Sequence, residues 1–241
     1  MTTVGVRRQP RQLSSLLRAV HPRQALALAA GVALLVVLMG RPPREVGVSA
    51  AAVLVTQMVA GLIDDVIDAR RDRASEAANK PVADGFLPTG NATFAILLLL
   101  LLAVPLSLQN GLEAGLFVLA TIPVAFVHDM WLQRTVLSFV GWATTFALLA
   151  YFVTWGGWAN ETEGSAPLPG FVAWSAALGV CVHFLTALPD LVVDNRAGTR
   201  HLPLRIALRT GAPALLVITL VATVAVTVGF AYSALTVGIA S

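Results

Sequence analysis

Seven long apolar runs limit what this chain can fold into more than any other feature of its sequence. The runs cover residues 24–40, 46–63, 92–108, 112–128, 136–155, 171–189 and 212–239. They approach the roughly 20 apolar residues that a helix needs to cross a bilayer. A membrane-spanning strand would alternate apolar and polar residues, and these runs do not alternate. We therefore predict an all-α fold, a polytopic transmembrane helix bundle with about seven spans.

The low charge of the chain supports a membrane environment. Charged residues make up 12% of the 241 residues and hydrophobic residues 57%, whereas a soluble domain carries about 25% charged residues. The single cysteine, Cys181, lies in an apolar run, so an internal disulfide is impossible and packing is its expected role. The basic segment 1–23 has no small-residue cleavage site after its first apolar run. We interpret it as a retained cytoplasmic extension of one transmembrane domain over residues 24–241.

Lysine and arginine are distributed unevenly between the two sides of the predicted bundle. With alternating loops, the side of the N-terminus holds 14 of the 16 basic residues, in segments 1–23, 64–91, 129–135 and 190–211. The opposite side holds only Arg41 and Arg44. The positive-inside rule then predicts a cytoplasmic N-terminus.

The acidic residues are also sorted between the two sides. All eight aspartates fall on the predicted cytoplasmic side, whereas four of the five glutamates fall on the other. Acidic residues contribute little to orientation, so the insertion rule does not explain this sorting. Chance in a chain with few acids accounts for part of the asymmetry, but not for the regular spacing of the aspartates.

A first cluster of aspartates lies at the end of the second apolar run. If that helix continues past the membrane edge, Asp64, Asp68 and Asp72 lie at i, i+4 and i+8 on one stripe, with Asp65 beside them. Like charges at this spacing destabilise a helix by a few tenths of a kcal/mol per pair, so something must compensate them. Nearby arginines can do so locally, which leaves a solvated helix end as the alternative interpretation.

A second cluster lies at the end of the sixth apolar run. Asp190 and Asp194 are four residues apart with Leu, Val and Val between them, so one acidic stripe would face a cavity. Ionisable residues in such segments are rare and indicate a functional site by default. Pro189 is expected to bend or break the helix where the acids begin.

Two acidic stripes at one membrane face predict a divalent-cation site. Mg²⁺ prefers carboxylate oxygens and completes its coordination with substrate phosphates. Zinc is disfavoured because no two of the four histidines have ligand spacing; His183 is expected to be a packing histidine. Asp84 and Asp129 are assigned to loops outside the site. The predicted metal ligands are Asp64, Asp65, Asp68, Asp72, Asp190 and Asp194. Basic residues after each cluster, including Lys80, Arg200 and Arg205, suit phosphate oxygens or serve only to orient the chain.

These motifs resemble those of the UbiA-type intramembrane prenyltransferase superfamily. The family's Asn-Asp-x-x-Asp-x-x-x-Asp signature corresponds to Asp64-Asp65-x-x-Asp68-x-x-x-Asp72, and its following loop to Lys80-Pro81-Val82-Ala83-Asp84-Gly85. The second signature corresponds to Asp190-x-x-x-Asp194 followed by Gly198-Thr199-Arg200-His201-Leu202-Pro203-Leu204-Arg205. A loop after the fourth helix, often Tyr-Asp-x-x-Leu-Lys-Arg-Thr, corresponds to His128-Asp129-Met130-Trp131-Leu132-Gln133-Arg134-Thr135.

The resemblance, over about residues 24–235, implies Mg²⁺-dependent transfer of a prenyl group from a prenyl diphosphate to an aromatic or other lipophilic acceptor. It implies a groove open to membrane lipid, ionisation to an allylic cation, and capture of that cation by the acceptor. No nucleic-acid partner is expected, and protein partners stay open. The implied catalytic residues are Asp68, Asp72, Asp190 and Asp194. The implied diphosphate-binding residues are Lys80, Arg134, Arg200 and Arg205.

The chain departs from the family pattern at several positions. Asp64 replaces an asparagine, Gln133 a lysine and His128 a tyrosine. The family commonly has nine helices, and only 30 residues follow Gly211, so we expect the last one or two helices to be missing. Two alternatives stay open: a membrane terpene cyclase, in which the substrate's own double bond captures the cation, and a transporter or other non-catalytic membrane protein.

Overall fold

The computed structural model describes residues 12–74, 80–157 and 165–235, which form ten α-helices and contain no strand. Helices are expected here because a bilayer offers no water to pair backbone polar groups, so each apolar segment must pair its own. The helices are α1 Gln12–Ala19, α2 Pro22–Leu38, α3 Pro43–Ala74, α4 Thr89–Leu108, α5 Leu112–Val127, α6 Ser138–Trp155, α7 Pro169–Ala187, α8 Leu191–Arg196, α9 Leu202–Thr210 and α10 Ala212–Ser233.

Six helical stretches in the described part are long and apolar enough to cross a membrane. They contain α3, α4, α5, α6, α7 with α8, and α10, and the pair α1 and α2, bent by 53°, makes a seventh if it is one span. The prediction of an all-α bundle with about seven spans is therefore confirmed. Of the predicted N-terminal extension, residues 1–11 lie outside the described residues, while residues 12–19 form α1.

Helix α3 is the centre of the bundle and carries the first acidic cluster. Its 32 residues would extend about 48 Å at 1.5 Å per residue, well beyond a hydrocarbon core of about 30 Å. The helix continues without a break through Asp72 to Ala74, as the predicted stripe of aspartates requires. Val53, Val59 and Leu62 on α3 are fully buried. The acids that follow them are thus held on a rigid, packed element.

Gly61 allows the turn between α1 and α2 to cross α3 closely. A Cβ at this position would lie 2.9 Å from the backbone carbonyl carbon and oxygen of Val20, so any larger residue would push the turn away. His21, which follows Val20 in this turn, has a left-handed backbone conformation with φ of 48°. The turn places its Nε2 atom 3.8 Å from Asp64 Oδ2.

Polar side chains tie three loops together at the end of the bundle opposite the acids. The Ser49 hydroxyl donates to Asn110 Oδ1 at 2.6 Å, and the Gly157 amide donates to the Asn110 carbonyl at 3.2 Å. Nearby, Arg41 donates to the carbonyl of Val153 at 2.9 Å. Ser49, Asn110 and Arg41 are all buried, so these bonds satisfy polar groups that have little access to water.

Candidate functional site

A cavity of about 320 Å³ opens beside the acidic end of α3, within the range of small-molecule sites. Helices α2, α3, α5, α6 and α7 all contribute to it. Its lining residues are His21, Gln24, Ala25, Leu28, Gln57, Ala60, Gly61, Asp64, Lys80, Ala125, His128, Asp129, Gln133, Gly141, Trp142, Thr145, Phe146, Thr186 and Asp190.

The cavity extends from the acids into the apolar interior of the bundle. On α3 its lining runs from Asp64 back to Gln57, and on α2 it reaches Leu28. Seven helical residues correspond to about 10 Å at 1.5 Å per residue. On α6 it is lined by Trp142 and Phe146. The cavity therefore joins a charged mouth to a deeper part with aromatic and aliphatic walls.

Lys80 lies among three carboxylates of α3. Its Nζ atom is 3.2 Å from Asp64 Oδ2, 3.4 Å from Asp72 Oδ2 and 3.8 Å from Asp65 Oδ1. Asp65 also accepts a hydrogen bond from the amide of Val82 at 3.2 Å, which fixes the loop that carries Lys80 against α3. The predicted phosphate-binding loop thus meets the first acidic cluster.

The charge of Lys80 is maintained by its neighbours. Burial lowers the pKa of the Lys80 ammonium, but the charges of Asp64, Asp72 and Asp65 outweigh this effect and hold the pKa above its ordinary value. Lys80 is also the only lysine in the sequence; the other 15 basic residues are arginines. A compact, strongly hydrated ammonium therefore occurs only at this site.

Asp68 joins α3 to the segment that follows α5. Gln133 Nε2 donates to Asp68 Oδ1 at 3.0 Å, and Arg134 NH2 lies 3.2 Å from the same oxygen. Arg71, one turn along α3, also pairs with Asp68. The glutamine that replaces a family lysine therefore still contacts the acidic cluster, as a neutral donor.

The two aspartates of the second cluster, Asp190 and Asp194, lie in different surroundings. Helix α7 ends at Ala187, a 3₁₀ turn spans Leu188–Asp190, and α8 follows, so the break predicted at Pro189 is confirmed. Asp190 is exposed and lines the cavity. Asp194 lies outside the cavity lining and accepts a hydrogen bond from His201 Nε2 at 3.0 Å.

His201 holds Asp194 in place and begins α9. Its Nδ1 atom accepts from the amide of Leu204 at 3.2 Å, so the proton of the neutral ring is on Nε2 and is donated to Asp194. From the sequence, His201 was identified only as one position of the second motif. The signal that was missed is a histidine directly before a helix whose second residue is proline, which is an N-cap position.

Two predicted phosphate ligands lie apart from the acidic clusters. Arg200 and Arg205 are exposed and do not line the cavity. Arg200 donates to the carbonyl of Thr199 at 2.7 Å. Their predicted role in binding diphosphate stays a prediction, and Lys80 and Arg134 are the predicted cations that contact the acids in this structure.

Asp129 lines the cavity, and its assignment to a loop outside the site is wrong. Residues His128–Leu132 form a π-helical turn that continues α5. This wider turn buries Asp129 and exposes the next residues, Met130 and Trp131, and π-turns occur often at functional sites. The sequence signal was an aspartate directly after an apolar run, the same position that Asp64 has on α3.

Two further predictions concern buried residues of α7. Cys181 is buried, in agreement with a packing role. His183 is buried as well, and its Nε2 lies 2.9 Å from the Ser138 hydroxyl, as expected of a packing histidine whose polar atom is satisfied.

The donor set at the mouth is suitable for Mg²⁺. Among the described residues, no three His, Cys, Asp or Glu side chains already converge as a metal site, and Lys80 and Arg71 lie between the carboxylates instead. Asp65 Oδ1 is buried and accepts no hydrogen bond from the described residues. A carboxylate oxygen held in this way fits a hard cation that takes oxygen ligands.

Comparison with known proteins adds to this geometry. A family model described as the UbiA prenyltransferase family matches residues 25–241. No curated protein is significantly similar in sequence.

Among solved structures, a UbiA homologue from Archaeoglobus fulgidus bound to GPP and Mg²⁺ is similar with a TM-score of 0.72 and 16% identity, over 91% of this chain and 77% of that one. A UbiA homologue from Archaeoglobus fulgidus bound to DMAPP and Mg²⁺ gives a TM-score of 0.68 at 16% identity, over 91% of this chain and 84% of that one. A digeranylgeranylglyceryl phosphate synthase structure gives 0.61 at 14% identity, over 93% and 87%. At such identities the likeness shows the fold.

Proposed function

The chain belongs to the UbiA prenyltransferase family, and we propose that it is an intramembrane enzyme that moves a prenyl group from a prenyl diphosphate to a lipophilic acceptor with the help of Mg²⁺. The observation that supports this most directly is a cavity that joins an acidic, lysine-containing mouth to an apolar interior. The solved homologues bound to GPP or DMAPP together with Mg²⁺ support the same donor class. The extent of the family match supports one domain over residues 24–241.

The carboxylates at the mouth would hold Mg²⁺. Asp64, Asp65, Asp68 and Asp72 are the α3 candidates, and Asp190 lines the same cavity as Asp64. Asp194 completes the predicted set, and its contact with His201 keeps one carboxylate oxygen directed toward α9. When bound, Mg²⁺ supplies positive charge that stabilises the departing diphosphate.

Lys80 would share the diphosphate with the acids that it now contacts. Its ammonium can rotate away from Asp64 and Asp72 because a lysine stem has four flexible bonds, and it carries three donors for phosphate oxygens. Arg134 is half exposed and contacts Asp68, so it can donate to phosphate while remaining near the first acidic cluster. Arg200 and Arg205 are proposed to act only if α9 approaches a bound donor.

The polar groups inside the cavity favour a transferase over a cyclase. In a cyclase, the part of the substrate that folds inside the cavity is a hydrocarbon chain, which forms no hydrogen bonds with polar side chains. Gln57, Thr145, His128 and Asp129 line the cavity beside the aromatic residues. Buried polar groups need hydrogen-bond partners, and an acceptor with a polar head supplies them.

The test uses the full chain, purified into lipid nanodiscs, with Mg²⁺, a series of prenyl diphosphates and a lipid extract. We expect a prenylated acceptor and release of diphosphate that a chelator abolishes. Asp68→Asn and Asp72→Asn should each reduce the rates of prenyl transfer and of diphosphate release by about 100-fold or more. Loss of one group that stabilises charge in the transition state typically costs about 10²–10³ in rate. Asp84→Asn, an exposed acid at the same end, is the matched control.

The outcomes separate the candidate functions. Full activity in both variants would remove the metal assignment, and a cyclic hydrocarbon formed without any acceptor would show a cyclase. Mg²⁺-independent binding of unrelated solutes with no chemical product would favour a transporter.

We also propose that the N-terminus and the mouth of the cavity face the cytoplasm, on the strength of the 14 basic residues on that side. The native Cys181 is buried, so a new exposed cysteine can report topology. Asp84→Cys should react with an impermeant maleimide only in inside-out vesicles, and Glu113→Cys only in right-side-out vesicles. The opposite pattern would reverse the orientation.

A further inference from the structure

Asp129 is a buried acid whose carboxylate has no partner in the described part of the chain. Its exposed fraction is 7%. Its backbone carbonyl accepts a hydrogen bond from Gln133 at 2.6 Å. No described residue, however, donates to its carboxylate or forms an ion pair with it, whereas Asp64 and Asp68 are both paired with cations. Because Asp129 lines the cavity, its carboxylate can accept a hydrogen bond or a proton from a molecule bound there.

His128 presents a second polar atom without a partner beside Asp129. Its Nδ1 atom is buried and makes no hydrogen bond within the described residues. Gly141 on α6 provides the space for this ring, because a Cβ there would lie 2.6 Å from the same Nδ1 atom. Both residues line the cavity. The π-helical turn thus supplies an acid and an imidazole at the wall of one cavity, and the Nδ1 atom of the imidazole packs against Gly141.

The charges around the cavity limit what this molecule can be. Of the lining residues in the described part, Lys80 is the only lysine or arginine, and it is engaged with three carboxylates. Asp64, Asp129 and Asp190 line the same space. A carboxylate on the acceptor would meet these like charges, and the described part of the lining offers no arginine to pair with it.

We propose that Asp129 is the base that receives the proton of the acceptor, and that the acceptor is a neutral hydroxyl-bearing molecule, a phenol or an alcohol, rather than a carboxylic acid. This inference rests on the proposed transferase function. In the step, the bond between C1 of the prenyl group and the diphosphate oxygen breaks, and its electron pair leaves on the diphosphate. C1 forms a bond to the nucleophilic atom of the acceptor, and the proton that this atom loses passes to the Asp129 carboxylate.

The first test compares acceptors that differ only in charge. The full chain in nanodiscs, with Mg²⁺ and geranyl diphosphate, is given methyl 4-hydroxybenzoate or 4-hydroxybenzoate, and 1-octanol as an aliphatic probe. We expect transfer to at least one neutral probe, and at least about tenfold lower kcat/KM for the acid, the effect of about 1.4 kcal/mol of repulsion. Equal or faster transfer to the acid, or transfer to neither neutral probe, would overturn the inference.

The second test removes the base while keeping its shape. Asp129→Asn should lower kcat by about 100-fold or more, as expected for loss of general-base catalysis. It should also narrow the preference for the ester over the acid, because the repelling charge is gone; a purely structural role would not change this preference. Asp129→Glu should recover part of the rate, and Asp84→Asn should match the wild type. An Asp129→Asn enzyme with wild-type kcat would refute the assignment.

Failure of this inference can be told apart from failure of the proposed function. Geranyl thiolodiphosphate, a donor that does not ionise readily, should bind the wild type and Asp129→Asn equally in the presence of Mg²⁺. If the wild type does not bind it, the transferase proposal itself is wrong. If both bind it and Asp129→Asn still transfers normally, only the role of Asp129 is wrong.

Discussion

Replacing Lys80 with methionine would remove a cation that contacts three acids and keep most of the packing of its side chain. At an effective dielectric constant of about 20, each contact at 3.2–3.8 Å represents a gross attraction of about 4–5 kcal/mol. Repulsion among the acids and the cost of burying the ammonium offset most of this sum. Removing one partner of a buried ion pair typically costs 3–5 kcal/mol.

We take the lower end of that range, about 3 kcal/mol, because 23% of the Lys80 side chain is exposed. For a chain of this size that loss lowers the unfolding temperature by about 6–12 °C. The unfolding temperature of Lys80→Met should be lower than that of the wild type in buffer that contains a chelator. The difference should become smaller when millimolar Mg²⁺ is added. Lys80 competes with Mg²⁺ for the same carboxylates, so Mg²⁺ should stabilise Lys80→Met more than it stabilises the wild type.

The assay is thermal unfolding in detergent, followed by tryptophan fluorescence, with and without Mg²⁺. Arg70→Met, an exposed cation on the same helix, should change stability by no more than about 0.5 kcal/mol. The reasoning fails if Lys80→Met is as stable as the wild type in chelator. It fails equally if Mg²⁺ raises both unfolding temperatures by the same amount.

Two further substitutions test the packing around the site and at the opposite end. Gly141→Ala should force His128 to move and cost about 1–3 kcal/mol of stability, with a raised KM for the acceptor; Gly31→Ala, which has no atom within 4 Å, should leave both unchanged or stabilise slightly. Asn110→Ala should lower stability by about 1–3 kcal/mol, because the buried Ser49 hydroxyl loses its acceptor. At temperatures well below unfolding its transfer activity should equal that of the wild type, and a loss of activity there would contradict the separation of the two ends.

The membrane spans could be predicted from sequence because hydropathy is a property of each segment alone. The acidic stripe of α3 could also be predicted, because residues spaced four apart lie on one face of a helix whatever its neighbours are. Lys80 could also be placed at the site, through its position in the loop that follows the stripe.

The features that were missed depend on contacts between distant segments or on irregular backbone. The π-helical turn that buries Asp129 adds one residue to a helical repeat, and no local pattern indicates it. The pairing of His201 with Asp194 depends on how α9 folds back beside α8. Arg200 and Arg205 occupy motif positions, yet their side chains lie outside the cavity lining. Their distance from the cavity depends on the path of the loop, which the motif does not specify.

The contacts of Lys80 also bear on the synthesis of the chain at the ribosome. Asp64, Asp65 and Asp72 lie 16, 15 and 8 residues before Lys80 in the sequence. Chains are completed from the N-terminus, so these acids acquire their counter-ion as soon as the hairpin of α3 and α4 leaves the translocon. The residues that bring Asp190 and Asp194 are made more than 100 residues later. The nascent protein therefore carries an acidic helix end that is already partly paired with Lys80 through most of its insertion, and the binding cavity is completed around it later.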